Sequence, residues 1–381
     1  MNMTQGETYD IAVVGAGIAG ASAAAELARF ARVILIESEP QPGYHSTGRS
    51  AAILAQTYGS SVIRALTRAS ANHFEHPPQG FSQNPLLSPR GLIRIGTGDQ
   101  IDGLRAMFDE LRDTKFLTWL SGEAVQAKLP LLRPGYAAGG FFNPSAQDID
   151  VHALLTGYLR VFRQAGGTIL TNATVSALRR VGSGWAITAG SNKITAGIVV
   201  NAAGAWGDKV AAMAGATPMA LDPRRRTAIT FDAPQGFDPS TLPMIVDAEE
   251  SFYLKPEGGR LMASPADETE SEPCDSRPDE MDIAVCVDRI TTAFNIDVRR
   301  IHSSWSGLRT FVRDRAPICG FDPDIDGFFW LAAQGGYGVQ TAPAMARLTA
   351  SMIRGETPDD EIVASGLSVG DIAPGRQFLA V

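Results

Sequence analysis

The stretch IAVVGAGIAGASAAAELARFARVILIE, residues 11–37, decides the fold. Two short apolar runs rich in strand-forming residues, 11–14 and 33–36, flank a glycine-rich turn and the alanine-rich run 19–30. Strand-forming runs on both sides of a helix-forming run are typical of a βαβ unit. The sequence therefore predicts two parallel strands joined by a helix.

The turn Gly15-Ala16-Gly17-Ile18-Ala19-Gly20 has the spacing of a dinucleotide-binding motif. Its glycines allow a tight bend, close approach of the backbone to a pyrophosphate, and close packing of the helix on the strand. The helix N-terminus then faces the phosphates. Glu37 ends the second strand about twenty residues further on, where a carboxylate binds the adenosine ribose. The motif predicts a dinucleotide site and does not by itself separate NAD from FAD.

Composition limits the classes of function. The chain has 381 residues, of which 44% are hydrophobic and 19% charged, so it can form a globular protein with a large core. Its formal charge of -8 argues against nucleic acid as a partner, because phosphate neutralisation needs a concentrated basic face. Cys274, Cys286 and Cys319 are too few and too scattered for a disulfide framework or a thiolate metal site. Since no signal peptide or transmembrane segment is indicated, we expect a cytoplasmic protein with a small-molecule substrate.

The nucleotide-binding pattern is interrupted and resumes further along the chain. Asp150 occupies the N-cap position of an amphipathic run, 151–164, and the strand-like run 198–201 leads into Ala202-Ala203-Gly204-Ala205-Trp206 and another helix. We therefore expect two lobes that are interleaved in sequence. Further helices are predicted at 61–74 and 343–353, and further strands at 91–95, 168–170, 185–188, 227–231, 252–254, 261–262 and 328–332.

Six other runs occur in the order found in one known family: 43–52, 85–90, 201–206, 251–256, 305–309 and 332–338. With them, nearly the whole chain resembles the D-amino-acid oxidase and glycine/sarcosine oxidase family of FAD flavoenzymes. Within that family the resemblance is strongest to bacterial FAD-dependent D-arginine dehydrogenase.

The resemblance implies an α/β fold, with a Rossmann-type FAD-binding domain interleaved with an α+β substrate domain on a large mixed or antiparallel sheet. We assign 1–90, 142–215 and 306–381 to the FAD-binding domain, and 91–141 and 216–305 to the substrate domain. We expect FAD to be bound non-covalently, because no cysteine lies next to Arg309. The predicted FAD-binding residues are Gly15, Gly17, Ala19, Gly20, Glu37, Ser38, Ser46, Thr47, Gly48, Arg49, Ser50, Ala51, Ala52, Val175, Gly204, Gly335, Gly336, Tyr337, Gly338 and Gln340.

Two arginines and two tyrosines form the predicted catalytic set. Arg226 and Arg309 lie in β-rich or glycine-flanked surroundings, and arginine is suited to bidentate binding of a carboxylate. In the resembled dehydrogenase the matching positions hold the substrate α-carboxylate, with tyrosines at the places of Tyr58 and Tyr253. The alternative for Arg226, at the end of Arg224-Arg225-Arg226, is a solvated charge run, and for the tyrosines it is a core position with a satisfied hydroxyl.

Two positions depart from the resembled dehydrogenase. Leu92 stands where that enzyme has a glutamate, and Ile53 where it has a histidine. Loss of the carboxylate that faces a basic side chain costs roughly 3 kcal/mol or more of discrimination. Gly336 is the third predicted substrate-binding residue, beside Ile53 and Leu92. We expect the substrate to be a D-amino acid with a neutral or apolar side chain. The resemblance implies hydride transfer to the flavin, followed by hydrolysis of the imine to a 2-oxo acid and ammonia.

Several alternatives stay open. A secondary amine, such as an N-alkyl amino acid, or a 2-hydroxy acid would use the same arginines, and a flavin-binding protein without turnover is the alternative outside the enzymes. Neither the D configuration nor the electron acceptor is determined by the residues themselves. The acidic segment 266–282 fits a surface loop better than an active-site lid.

Overall fold

The computed structural model describes residues 7–111 and 116–376, and we number their strands and helices in chain order. The strands are β1 Glu7–Val14, β2 Val33–Ile36, β3 Ile53–Leu54, β4 Leu87–Pro89, β5 Leu92–Gly96, β6 Thr118–Ser121, β7 Gly139–Asn143, β8 Gln147–Ile149, β9 Thr168–Leu170, β10 Val175–Val181, β11 Gly184–Ala189, β12 Asn192–Asn201, β13 Asp222–Phe231, β14 Met244–Asp247, β15 Tyr253–Glu257, β16 Arg260–Ser264, β17 Thr269–Glu270, β18 Ile301–Phe311, β19 Ile318–Phe321 and β20 Phe328–Ala332. The α-helices are α1 Ile18–Leu27, α2 Ser61–Glu75, α3 Ile101–Leu111, α4 Gly122–Lys128, α5 Val151–Gln164, α6 Gly207–Ala214, α7 Glu280–Ala293, α8 Gly338–Arg354 and α9 Asp360–Ala364. Short 3-10 helices span Ser46–Arg49, Gly204–Trp206, Pro239–Thr241 and Val369–Ile372.

The first sheet has a parallel centre. Strand β1 pairs in parallel with β2 and β12, β2 pairs with β9, and β12 pairs with β20. Strands β2 and β20 are buried along their whole length, as expected for parallel strands covered on both faces. Helices α1, α5 and α8 pack together in one core, and β10, β11 and α6 contribute to the second.

The second sheet is larger and mostly antiparallel. Its strand order is β17-β13-β16-β15-β14-β5-β7-β6, with β18 beside β13 and one parallel pair, β14 and β5. Strands β13 and β18 form a long antiparallel ladder from Asp222 opposite Phe311 to Phe231 opposite Ile301. Helix α7 packs on this sheet through Cys286 and Ile290, which are fully buried. A third, small sheet joins β3, β8 and β4.

The predicted fold class is confirmed: a parallel nucleotide-binding sheet is interleaved in sequence with a large, mostly antiparallel sheet. Helix α5 has the predicted bounds, and Asp150 caps it by accepting a hydrogen bond from Ala153 N at 2.8 Å. Within the described ranges no helix combines the length and the apolar character needed to cross a membrane.

Helix α8 begins at Gly338, five residues before the predicted start at Pro343. Proline lacks an N–H group and clashes with the preceding turn, so the sequence favoured a helix that starts at this residue. In the structure all residues from Val339 to Ala346 are buried. Packing of this helix in the core therefore outweighs the hydrogen bond lost at Pro343.

Two of the predicted domain boundaries fall inside strands of the second sheet. The boundary at 141/142 cuts β7, and the boundary at 305/306 cuts β18. Because a strand shares its ladder with its neighbours along its whole length, we propose boundaries after Asn143 and after Phe311 instead. The predicted domains also include 1–6, 112–115 and 377–381, which lie outside the described residues.

Two glycines of the turn after β1, Gly15 and Gly20, have no room for a side chain. Gly15 has a φ angle of 99°, and a Cβ atom on Gly20 would lie 1.8 Å from the Gly15 carbonyl oxygen. The start of α1 therefore packs directly against the backbone of the turn.

Gly20→Ala should destabilise the protein by about 3 kcal/mol or more, because the added methyl group must move α1 away from the turn. Gly103→Ala is the matched control, since Gly103 lies in α3 and an added Cβ meets nothing within 4 Å. It should be neutral or stabilise by up to about 1 kcal/mol. Urea denaturation measures both, and equal midpoints for the two variants would contradict the prediction.

Candidate active site

A cavity of about 540 Å³ lies at the carboxyl ends of β1, β2 and β12, where ligands bind in open α/β sheets. It continues past the glycine turn to the arginines of the second sheet. Of the predicted FAD-binding residues, its walls include Gly15, Gly17, Ala19, Glu37, Ser38, Ser46, Thr47, Arg49, Ser50, Ala51, Val175, Gly204, Gly335, Gly336 and Gly338.

The N-terminus of α1 lines this cavity. Gly17 is the N-cap residue and provides no side-chain cap. The Ile18 N–H donates to Thr47 Oγ1 at 3.0 Å, so the turn is tied to the 3-10 helix Ser46–Arg49. An N-terminus with backbone N–H groups and no capping side chain is suited to bind a pyrophosphate.

Glu37 is buried at the end of β2, with 7% of its surface exposed. Its carboxylate accepts hydrogen bonds from Ala16 N at 2.8 Å and from Glu39 N at 3.0 Å. These backbone donors hold the carboxylate in the cavity wall beside the glycine turn. This is the arrangement that the sequence predicts for binding a ribose.

The segment Ser46–Arg49 is anchored to the second sheet. Ser46 Oγ donates to Leu308 O at 2.7 Å. Arg49 donates to Ser306 O at 3.0 Å and to Ser276 O at 2.9 Å, and it pairs with Asp275. The predicted cofactor residue Arg49 therefore also joins the acidic segment to the cavity wall.

The large cavity fits FAD. Its glycine turn and Glu37 can receive the pyrophosphate and a ribose, and it also contains two buried polar atoms without hydrogen-bond partners among the described residues. These atoms are His45 Nδ1 and Gln334 Nε2. A buried polar atom left unpaired costs free energy, so both are expected to be satisfied by a bound polar group.

A smaller cavity of about 50 Å³ shares part of its wall with the large one. Arg226, Arg309, Tyr253 and Gly336 line both cavities. Tyr58, Ile53 and Leu92 line the small one. All seven predicted catalytic and substrate-binding residues therefore line the small cavity, and four of them also border the large one.

The two arginines are neighbours on the β13–β18 ladder. Arg226 lies opposite Gly307, and Arg309 lies opposite Arg224, so Arg226 and Arg309 are diagonal neighbours on one face of the sheet. Burial and the nearby charge of Arg309 lower the pKa of Arg226. Burial also lowers the pKa of Arg309, but the adjacent Tyr58 and Tyr253 raise it by more. A buried and a partly buried guanidinium group, side by side, form a site for an anion.

Arg309 depends on the glycine beside it. A Cβ atom on Gly336 would lie 2.8 Å from Arg309 Cζ. Within residues 7–111 and 116–376, no carboxylate lies within ion-pair distance of Arg309. The guanidinium is therefore packed against a bare backbone and is available to a ligand.

The small cavity also has an apolar part of its wall. Ile53 and Leu92 are 6% and 5% exposed. Met244, which lies opposite Leu92 in the sheet, and Val246 complete this wall and were not predicted. Both point to the same side of β14, as the period of two in a strand requires. Alternation in this strand could have identified them once one of them was known to face the cavity.

Glu250 is a further lining residue that the sequence did not indicate. It lies between β14 and β15 with a φ angle of 57°, and its Oε1 accepts a hydrogen bond from the buried Arg94 at 2.7 Å. Its charge is thus paired within the protein. Nothing in the acidic turn sequence distinguished Glu250 from its neighbour Glu249.

Five predicted FAD-binding residues do not line the large cavity. Ala52 and Gln340 line the small one, and both side-chain amide atoms of Gln340 are buried without partners among the described residues. Gly20 is buried and Gly48 is exposed, and at both positions an added Cβ atom would meet the backbone. The Tyr337 ring packs edge-on against Tyr58 at a centroid distance of 5.0 Å, and burial raises the pKa of Tyr337.

Known proteins resemble this chain over most of its length. A family profile described as "FAD dependent oxidoreductase" matches residues 10–352. Glycine oxidase from Geobacillus kaustophilus is 25% identical over 92% of this chain and 95% of its own. Its crystal structure has a TM-score of 0.81 at 22% identity, covering 92% of this chain and 96% of that one.

Two other relatives have different names. L-2-hydroxyglutarate dehydrogenase from Escherichia coli is 25% identical over 55% of this chain and 51% of its own. Human mitochondrial dimethylglycine dehydrogenase is 23% identical over 92% of this chain and 43% of its own.

Gly336→Ala should weaken binding of a monocarboxylate about tenfold or more, because the methyl group displaces the Arg309 guanidinium. The dissociation constant of hexanoate, followed by the change in flavin absorbance of the FAD-bound protein, measures this effect. Gly370→Ala is the control, since its added Cβ would meet only Ser368 Oγ at 3.5 Å. Unchanged hexanoate binding in Gly336→Ala would contradict this view of the site.

Proposed function

The chain belongs to the family of FAD-dependent oxidoreductases that act on amino acids or amines, and we propose that it deaminates a D-amino acid with a neutral or apolar side chain. The substrate loses two electrons at its Cα–N bond, and hydrolysis of the resulting imine yields a 2-oxo acid and ammonia. FAD, when bound, supplies the acceptor of those two electrons. We propose that this FAD is held without a covalent bond.

The observation that carries the proposal is the arginine pair, Arg226 buried and Arg309 partly buried, in a cavity whose remaining wall is largely apolar. A carboxylate placed between Arg226 and Arg309 would receive charge-assisted hydrogen bonds and would relieve the repulsion of the two guanidinium groups. The hydroxyls of Tyr58 and Tyr253 lie beside Arg309 and would donate to the same carboxylate. Such a clamp holds an α-carboxylate and leaves the rest of an amino acid directed away from the charges.

Positioning is the main catalytic contribution that these residues would make. Arg226, Arg309 and Tyr253 border both cavities, so an amino acid held by its carboxylate would keep its Cα near the junction with the large cavity. The surrounding apolar residues would exclude water from that junction. Fixing two reactants in one geometry removes much of the entropic cost of their encounter.

The composition of the small cavity supports a neutral or apolar side chain. Ile53, Leu92, Met244 and Val246 offer no charge. The carboxylate of Glu250 is paired with Arg94. A guanidinium or ammonium group there would be desolvated without a free counter-ion, which is unfavourable by several kcal/mol. The D configuration rests on the resemblance to D-arginine dehydrogenase.

A second candidate substrate class is an N-alkyl amino acid or a 2-hydroxy acid. The relatives named dimethylglycine dehydrogenase and L-2-hydroxyglutarate dehydrogenase favour keeping both open. Each such compound carries a carboxylate for the same arginines, and the products separate the classes because only a primary amine yields ammonia.

A panel of D- and L-amino acids, N-methyl amino acids and 2-hydroxy acids tests the proposal by anaerobic reduction of the flavin. D-Leu, D-Met and D-Phe should bleach the flavin faster than D-Arg or D-Lys, with equal amounts of 2-oxo acid and ammonia formed. Faster reduction by D-Arg would contradict the side-chain assignment, and reduction by 2-hydroxy acids alone would contradict deamination. Peroxide formation compared with dye reduction identifies the electron acceptor.

Leu92→Glu should raise the ratio of kcat/KM for D-Arg to that for D-Leu by about tenfold or more, since the new carboxylate would face a basic side chain. Leu92→Gln is the matched control, because it has the same size as Glu and no charge. The ratio should change much less in the control. An equal change in both variants would show that polarity, and not charge, controls the preference.

A further inference from the structure

The acidic segment 266–282 is packed against the site at two places. Asp267 Oδ1 accepts a hydrogen bond from Thr227 N at 2.7 Å, and the Asp267 side chain is only 8% exposed. Ser276 is 7% exposed and accepts from Arg49 through its carbonyl oxygen. The expected surface loop therefore describes only part of the segment, because Asp267 contacts Thr227, which follows the substrate arginine, and Ser276 contacts Arg49 of the cofactor segment.

Arg226 is held by the first of these two contacts. Its Nε donates to Asp267 O at 2.8 Å, and one terminal nitrogen donates to Glu268 Oε1 at 3.2 Å. The plane of a guanidinium is fixed when two of its donors are engaged in different directions. The remaining donors of Arg226 are left for a ligand.

We propose that Glu268 is a positioning residue that orients the Arg226 guanidinium toward the substrate carboxylate. The proposal rests on the carboxylate-binding role assigned to Arg226 under the proposed function. Glu268 acts through Arg226 and is not itself a substrate contact.

Arg315 makes this arrangement compatible with an anionic substrate. Arg315 donates to the same Glu268 Oε1 at 2.8 Å, so one carboxylate oxygen is shared by two guanidinium groups. Burial raises the pKa of Glu268, but Arg315 and Arg226 lower it by more, and the group is ionised at neutral pH. Because Arg315 compensates the charge, Glu268 can hold Arg226 without strongly repelling a second carboxylate.

Orientation and simple electrostatics predict opposite results for removal of Glu268. If Glu268 only contributes a negative charge near the site, its loss makes the site more positive and tightens carboxylate binding. If Glu268 orients Arg226, its loss weakens binding, since Arg226 is repelled by Arg309 and loses one of its two anchors. The sign of the change decides between the two roles.

The test uses the FAD-bound protein with hexanoate, a carboxylate that has no amino group to be oxidised. Glu268→Ala should raise its dissociation constant about tenfold, Glu268→Gln should raise it less, and Glu268→Asp should lie closest to the parent protein. With an oxidised amino acid, KM should rise in the same order while kcat changes less than about threefold. Glu270→Gln is the matched control, because Glu270 is 79% exposed and forms an ion pair with Arg224.

Tighter or unchanged hexanoate binding in Glu268→Ala would overturn the proposal. If that variant does not fold, Arg315→Gln replaces it: loss of the compensating charge should weaken hexanoate binding about threefold, and an unchanged constant would overturn the proposal. Hexanoate binding does not require turnover. Failure of every amino acid to reduce the flavin would therefore contradict the proposed function and leave the assignment of Glu268 to be decided by the binding data.

Discussion

The contact of Gly20 with the Gly15 carbonyl sets the distance between α1 and the first sheet, and the rest of the site depends on it. At this distance Ile18 N reaches Thr47, and the adjacent Ser46 reaches the carbonyl of Leu308. The residue that follows Leu308 is Arg309. A short chain of hydrogen bonds thus connects the cofactor turn with the strand that carries the proposed carboxylate-binding arginine. The positions of the cofactor turn and of this arginine therefore depend on each other.

Burial of Arg226 beside Arg309 is unfavourable by itself, and several features of the second sheet make it possible. Gly336 leaves space against Arg309, and Gly307, which lies opposite Arg226 in the ladder, leaves space for Ser46 and Arg49. The Asp267 carbonyl and Glu268 satisfy part of the Arg226 guanidinium. What remains unsatisfied is the set of donors that face the junction of the two cavities. The site is thus electrostatically incomplete without an anion.

Local patterns predicted the parts of the fold that depend on local physics. The glycine turn, the βαβ unit and the Asp150 cap follow from residues close in sequence, and the structure contains all three. Strand β2 has the predicted bounds, whereas β1 starts four residues earlier, at Glu7, and α1 ends three residues earlier, at Leu27. The predicted start of α8 was wrong because tertiary packing outweighed the local effect of Pro343. Met244, Glu250 and Glu268 could not be found in this way, since their roles depend on strand register and on a turn with positive φ. The arginines were identified because the family resemblance added long-range information that periodicity lacks.

The interleaving of the two sheets has a consequence for biosynthesis. Strands β1 and β12 leave the ribosome before β20, which completes the pairing of β12 and follows more than a hundred residues after it. Helix α8, which covers α1, comes later still. Until then the nascent chain exposes the edge of β12 that pairs with β20, and the alanine-rich face of α1. Such surfaces are prone to aggregation during synthesis, and we expect the growing chain to need chaperone protection until β20 and α8 have docked.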